Sequence, residues 1–301
     1  MTPRWITPLL VSGALACSGQ GQAPGPSATA NGGIGGSAGA AGDVGSGAAG
    51  SGATGGDATG GGAGTPAACP GPSPVSLPLA SSGRVDLPVT ITINGAPAEV
   101  GAAGAGRDGR EYRLSLFKFF LSESALIQSD GQEIPAQLLT AQGTPAPYGV
   151  HLVDADDPTT QLVRLSTAMG TYTALRLGVG VPAACNAIRG TDQVYPLNPD
   201  SDMFWTWGSQ FMFIRIEGST RPGIDGEWSP FLYHVGFNPA FASLTIPGAI
   251  TAGSTSTGPT LSLDLDLMLA TGGEPLPSPK HSVPDGWVVD NLENNQAFTL
   301  K

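Results

Sequence analysis

Runs of alternating apolar and polar residues recur along the C-terminal part of the chain, with turn residues between them. Val89-Thr90-Ile91-Thr92-Ile93 alternates strictly and ends on Asn94-Gly95, the pair suited to the two positive-φ positions of a tight hairpin turn. Residues 112–122 carry apolar side chains on both faces, which predicts a strand covered on both sides. A strand over 125–128 then meets Asp130-Gly131, a second hairpin signal. Further strands are predicted at 149–153, 161–165, 172–179, 203–216, 231–236 and 242–246. Leu261, Leu263, Leu265, Leu267 and Leu269 alternate with Ser262, Asp264, Asp266 and Met268, predicting a strand with its leucines on one face. No segment keeps a helical period with caps at both ends. The pattern therefore predicts an all-β fold, an antiparallel β-sandwich formed by one domain over residues 67–301. The run 272–301, with Trp287 and several prolines, is left as either a final strand or a cover over the sandwich.

The N-terminal part reads differently. Residues 1–16 hold Arg4, an apolar run over 8–15 and a small residue at Ala16, the make-up of an export signal and too short for a membrane span. Ala14-Leu15-Ala16-Cys17 resembles a bacterial lipobox. That resemblance implies that Cys17 is lipidated and becomes the mature N-terminus, held to a bilayer by its acyl chains. Residues 17–66 are otherwise nearly all Gly, Ala, Ser and Thr, with Asp43 and Asp57 the only charges. Such a segment lacks the apolar surface to offset the entropy of ordering, and as a random coil it reaches on the order of 40 Å over its length. It is expected to be a tether between an envelope membrane, on the periplasmic or outer-membrane side, and the folded domain.

A net charge of −11 argues against nucleic acid, whose binding needs cationic neutralisation of phosphate. With Cys17 lipidated, Cys69 and Cys185 remain as one pair available for a disulfide in an oxidising compartment. Within residues 67–301 there is no Gly-x-Ser-x-Gly elbow, no phosphate-cradling loop with Gly-Lys-Ser/Thr, no dinucleotide fingerprint opening a helix and no His-Glu-x-x-His motif. No catalytic residue stands out, and Asp154, Asp156 and Asp157 read as a solvated turn. The expectation is a binding protein, not an enzyme.

The three histidines are His151, His234 and His281. Imidazole and thioether are donors that select copper over harder cations. His234 shares a predicted strand face with Leu232 and Gly236, beside the Trp-rich strand; it is the first candidate ligand and His151 the second, while His281 sits in an exposed proline-flanked loop. Met203, Trp205 and Trp207 share one face of the predicted 203–216 strand, as a soft site would require and as simple core packing would also give.

Pro196-Leu197-Asn198, then Met203-Phe204-Trp205-x-Trp207, Phe213-x-Arg215-x-Glu217-Gly218 and Tyr233-His234-x-Gly236, resembles the MbnP-like copper-binding family. Tyr112-Arg113-Leu114, the His151-Leu152-Val153-Asp154 element, Gly170-x-Tyr172 and Asn186 resemble its earlier strands in the same order. The resemblance implies an exported copper-binding β-sandwich acting with a di-haem enzyme of the cytochrome c peroxidase type, which oxidises a tryptophan to kynurenine. Carried onto this chain, Trp205 or Trp207 is the residue modified, His234 the best histidine ligand and Met203 a soft neighbour. The chain departs from the family in having Asn186-Ala187 where many members have histidine after the asparagine, and Phe237-Asn238-Pro239 where many begin a cysteine set. The alternative is a surface lipoprotein that uses the same sandwich for adhesion or ligand recognition without metal.

Overall fold

The computed structural model describes residues 82–206, 210–272, 276 and 286–301, together with the backbone of 280–283. The predicted signal, Cys17, the tether, Cys69 and Trp207 lie outside the described residues.

The strands in chain order are β1 Ser82–Ile93, β2 Ala96–Pro97, β3 Ala103–Ala105, β4 Glu111–Ile127, β5 Glu133–Pro135, β6 Gln137–Leu139, β7 His151–Asp154 and β8 Leu162–Ala168. They continue with β9 Gly170–Val179, β10 Met212–Arg221, β11 Ser229–Gly236, β12 Ala242–Ala252, β13 Leu261–Asp264, β14 Lys280–Val283 and β15 Phe298–Leu300. Three short helices, α1 Ala183–Asn186, α2 Leu265–Met268 and α3 Trp287–Asn294, complete the set. None of these is long and apolar enough to cross a membrane.

The smaller sheet runs β15-β13-β1-β8-β6, and the larger runs β12-β9-β4-β10-β11-β14 with β3, β5 and β7 attached to β4. Together they form the expected β-sandwich. Most neighbours are antiparallel, but β1–β13 and β11–β14 are parallel. The Asn94-Gly95 signal is realised as a two-residue hairpin, with φ of 51° and 77° and Ile93 opposite Ala96. Alternation along β1 sends Val85 and Leu87 into the interior, where Phe119 of the larger sheet meets Phe298 of the smaller at 5.9 Å.

Three sequence expectations change. The 112–122 and 125–128 strands are one, β4, continued through Glu123 at φ 45° and a register shift against β9. The 203–216 strand begins only at Met212, because Met203 and Phe204 pair back onto the start of β10, with Met212 N donating to Met203 O and Phe204 bridged to Phe211. The leucine strand ends at Asp264, whose carboxylate accepts from the backbone N–H of Asn94, Gly95 and Asp266. That carboxylate caps α2, so the chain turns, and burial of Leu265, Met268 and Leu269 follows a helical spacing in place of the period of two. The 272–301 run supplies both outcomes left open, an edge strand β15 and the helix α3.

The larger sheet is covered on both sides. Its interior face carries Phe117, Phe119, Ile216 and Tyr233, and its outer face carries Phe120, which meets Phe211 edge-on at 6.2 Å. The segment between β9 and β10 thus forms a partial third layer, and the candidate site lies beneath it.

Candidate functional site

Along β11, Phe231, Tyr233 and Val235 point inward, so Leu232, His234 and Gly236 occupy the outer face. His234 sits opposite Arg215, and Glu217 lies two residues further along β10 on the same face. His234 is 8% exposed, and its Nε2 lies 2.9 Å from Glu217 Oε1. The same oxygen accepts from Arg215 Nε at 2.8 Å, while Arg215 Nη1 donates to the carbonyl and carboxylate of Asp202. Burial alone would raise the Glu217 carboxyl; the bonds from His234 and Arg215 outweigh it and hold the group below its ordinary 4.5.

Trp205 is placed by two contacts that leave it little freedom. A Cβ on residue 236 would fall 2.3 Å from Trp205 Cη2, so the indole rests directly on the Gly236 backbone and only glycine fits beneath it. The ring also stacks on Phe237 at 4.7 Å with an interplanar angle of 22°. Phe237 holds φ 69° and ψ 155°, a region that glycine populates and that costs another residue on the order of 1–3 kcal/mol. Strain of this kind persists where the surroundings over-determine it. The surroundings here are the indole and Asn186, whose amide accepts from Phe211 N and donates to Asn238 Oδ1, both at 2.9 Å. Asn186 therefore ties the Trp loop to the corner that follows β11.

The structure thus seats Trp205 over Gly236, two positions along β11 from His234 and on the same face, with Met203 fully buried in the segment that carries the indole. His151 does not join them. The row His234–Arg215–Lys118–Asp154 crosses three strand spacings, roughly 14 Å, and His151 lies three residues further along β7 on the opposite face. There its Nε2 donates to the carbonyl of Thr160 at 2.7 Å. Trp207 lies outside the described residues. Cys185 is disulfide-bonded and buried, and its partner also lies outside them.

Glu217, Arg215, Asp202, Asn186 and Phe237 were not named as site residues from sequence. The Arg215-x-Glu217 spacing was the available signal, since opposite charges two apart on a strand share a face.

A family model for MbnP matches residues 82–276. The chain belongs to the MbnP family. Among solved structures, MbnP from Methylosinus trichosporium is similar, with 18% identity over 69% of this chain and 87% of that chain at a TM-score of 0.47. No curated protein matches. The MbnP family is tied to copper-related, methanobactin-associated function. In this member the outer face fits copper in part. His234 brings an imidazole and Met203 a thioether, donor types that copper selects, and Glu217 stands behind the imidazole as carboxylates do behind metal-bound histidines. An intact indole adds no donor, and the described residues contain no group of three or more His, Cys, Asp and Glu suited to a metal ion.

Proposed function

We propose that this protein is an exported, lipid-anchored copper-binding protein whose metal site lies on the outer face of the larger sheet. His234 is the histidine ligand. Glu217 lies against its Nε2, and Glu217 and Arg215 together fix the plane of the ring. Met203 is the soft neighbour. Trp205 is the residue matured to kynurenine by a di-haem partner of the cytochrome c peroxidase type. In that change the indole C2–C3 bond is cleaved, each carbon takes an oxygen from an oxidant handled by the partner, and hydrolysis releases the formyl carbon as formate. The freed aniline nitrogen and the new carbonyl supply the donors that the intact ring lacks. Bound copper would provide a soft cation held for storage or delivery, with no turnover by this chain.

The observation that carries this reading is the seat of Trp205 on Gly236, next to a histidine whose Nε2 lies against a carboxylate. Lipidation at Cys17 and the 17–66 tether place the domain at an envelope membrane, on the periplasmic or outer-membrane side. The test is a native preparation from the exported protein, measured for copper content and for the mass of the peptide carrying Trp205. Copper together with kynurenine supports the reading, whereas an intact indole in a preparation that takes up no Cu(I) rejects it.

Burial of Trp205 to 4% exposure, against Phe237 and Gly236, favours a second reading in which the indole is purely a packing element. The domain is then a surface lipoprotein for adhesion or ligand recognition. The same copper measurement separates the two.

A further inference from the structure

The sandwich has an open side where β6, the edge of the smaller sheet, parts from β7 of the larger. A cavity of 270 Å³ lies there, walled by Leu139, Val150, Leu152 and Pro196 and rimmed by Tyr195, which is 50% exposed. Its volume sits just below the range of ordinary small-molecule sites, about 300–1,000 Å³. It equals the liquid volume of about nine waters. A ligand of about ten non-hydrogen atoms is the size that fits.

The charge of the cavity is unusual for this chain. Acidic residues outnumber basic ones 24 to 13, yet no carboxylate lines the cavity and Arg164 does. Arg164 is partly buried, and its guanidinium makes one long bond, 3.5 Å to the carbonyl of Leu162 on its own strand. Its cross-strand neighbour is Asp86, but both carboxylate oxygens of Asp86 are occupied by Arg84, at 2.8 and 3.1 Å. Among the described residues no carboxylate pairs with Arg164. A guanidinium carries five donors in a planar fork matched to a carboxylate, and a partly buried cation without an anion is costly.

The remaining polar groups agree. His151 donates Nε2–H to Thr160 O, and burial, with Arg164 nearby, favours its neutral form, so the cavity holds a single positive charge. The nearest acids outside the wall are engaged elsewhere, Asp154 with Lys118 at 3.1 Å and Asp157 with the N–H and hydroxyl of Thr159. Burial and these two carboxylates push the Tyr195 phenol up, which keeps it a hydrogen-bond donor at the rim.

We propose that this cavity binds a small organic monocarboxylate, with the carboxylate on the Arg164 guanidinium, the apolar body against Val150, Leu152 and Pro196, and Tyr195 closing over it. The site is separate from the outer face that holds Trp205 and His234, and it does not depend on copper.

Titration of the folded domain with benzoate, phenylacetate and isovalerate, followed by calorimetry and by amide shifts, tests this. At least one probe should saturate the site with shifts at 139–152 and 195–196, and the neutral isostere benzamide should bind at least about tenfold more weakly. Arg164→Gln should lose binding by a similar factor, Arg164→Lys should recover part of it, Tyr195→Ala should weaken it several-fold, and His234→Ala should leave it unchanged. Circular dichroism establishes that each variant is folded. If no probe binds, if Arg164→Gln and Arg164→Lys both bind like the parent, or if inorganic phosphate binds as well as the organic acids, the proposal is overturned. The last result would reveal a bare cation site with no use for the apolar walls.

Discussion

His151 and His234 lie on two arms of the same sheet, both have Nε2 in a hydrogen bond to an oxygen, and composition alone gives them equal standing. Their partners separate them. His151 donates to a neutral backbone carbonyl inside an apolar cavity beside Arg164, an arrangement that fixes one tautomer and opposes positive charge. His234 faces a carboxylate that Arg215 also holds, with an indole seated two residues away. A cation next to Arg164 is repelled and one next to Glu217 is attracted. The lesson is that the second atom behind an imidazole decides what its other nitrogen can do.

The sharpest way to break this comparison is by copper uptake. His234→Ala should abolish stoichiometric Cu(I) binding, and His151→Ala should leave it intact, as measured by competition with a chromophoric chelator. Equal loss in both variants would dissolve the distinction, and loss in neither would remove His234 from the site. Smaller is the effect expected for Glu217→Gln, which keeps the shape but removes the charge behind the ring. Copper affinity should fall about ten- to hundredfold. An unchanged affinity would mean that the carboxylate serves only Arg215.

Gly236→Ala probes the indole without touching either histidine. The new methyl would meet the Trp205 ring at 2.3 Å and the Phe211 carbonyl at 2.5 Å, and the carbonyl belongs to a backbone pinned by Asn186. The expected cost is about 1–3 kcal/mol in chemical denaturation, with a changed Trp near-ultraviolet signal. Unaltered stability would show that the indole is free to move, and a movable ring is a poor platform for a metal site.

Much of the sandwich was readable because one face of each strand is buried and the period of two survives in the letters, as in β1, β11 and β12. What escaped was set by contacts distant in sequence. Asp264 turns a perfect leucine alternation into a strand and a helix, because its carboxylate serves backbone amides at residues 94 and 95. Likewise the strand predicted through Trp205 fails because Asn186 captures Phe211 N while Phe204 pairs back onto Phe211. At the site, the face of β11 that carries His234 and Gly236 was legible from strand alternation, whereas the seat of Trp205 over Gly236 was not, since Trp205 lies outside any strand. The separation of His151 was not, since it depends on β7 joining β4 on the side away from β10.

The mildest contrast between the two regions is in acid. The His151 imidazole is held below its ordinary 6.5 by burial, against the smaller opposing effect of the Thr160 bond, with Arg164 nearby adding to the lowering. The unfolded chain therefore binds a proton that the folded chain refuses, and the stability from this group is complete above pH 6.5 and falls as pH drops below it. The slope for one proton cannot exceed about 1.4 kcal/mol per pH unit. Glu217 carries the opposite charge type but the same sign of linkage: its folded-state value is lowered, so its contribution is present above 4.5 and is lost only as pH falls below that. Denaturation midpoints measured from pH 7.5 to 4 should therefore decline in two stages. His151→Gln, which can still donate to the Thr160 carbonyl, should remove the first stage and keep the second, and Glu217→Gln should do the reverse. A single decline confined to the region below 4.5 in the parent protein would mean that His151 accepts its proton without penalty, and the contrast with His234 would then rest on copper alone.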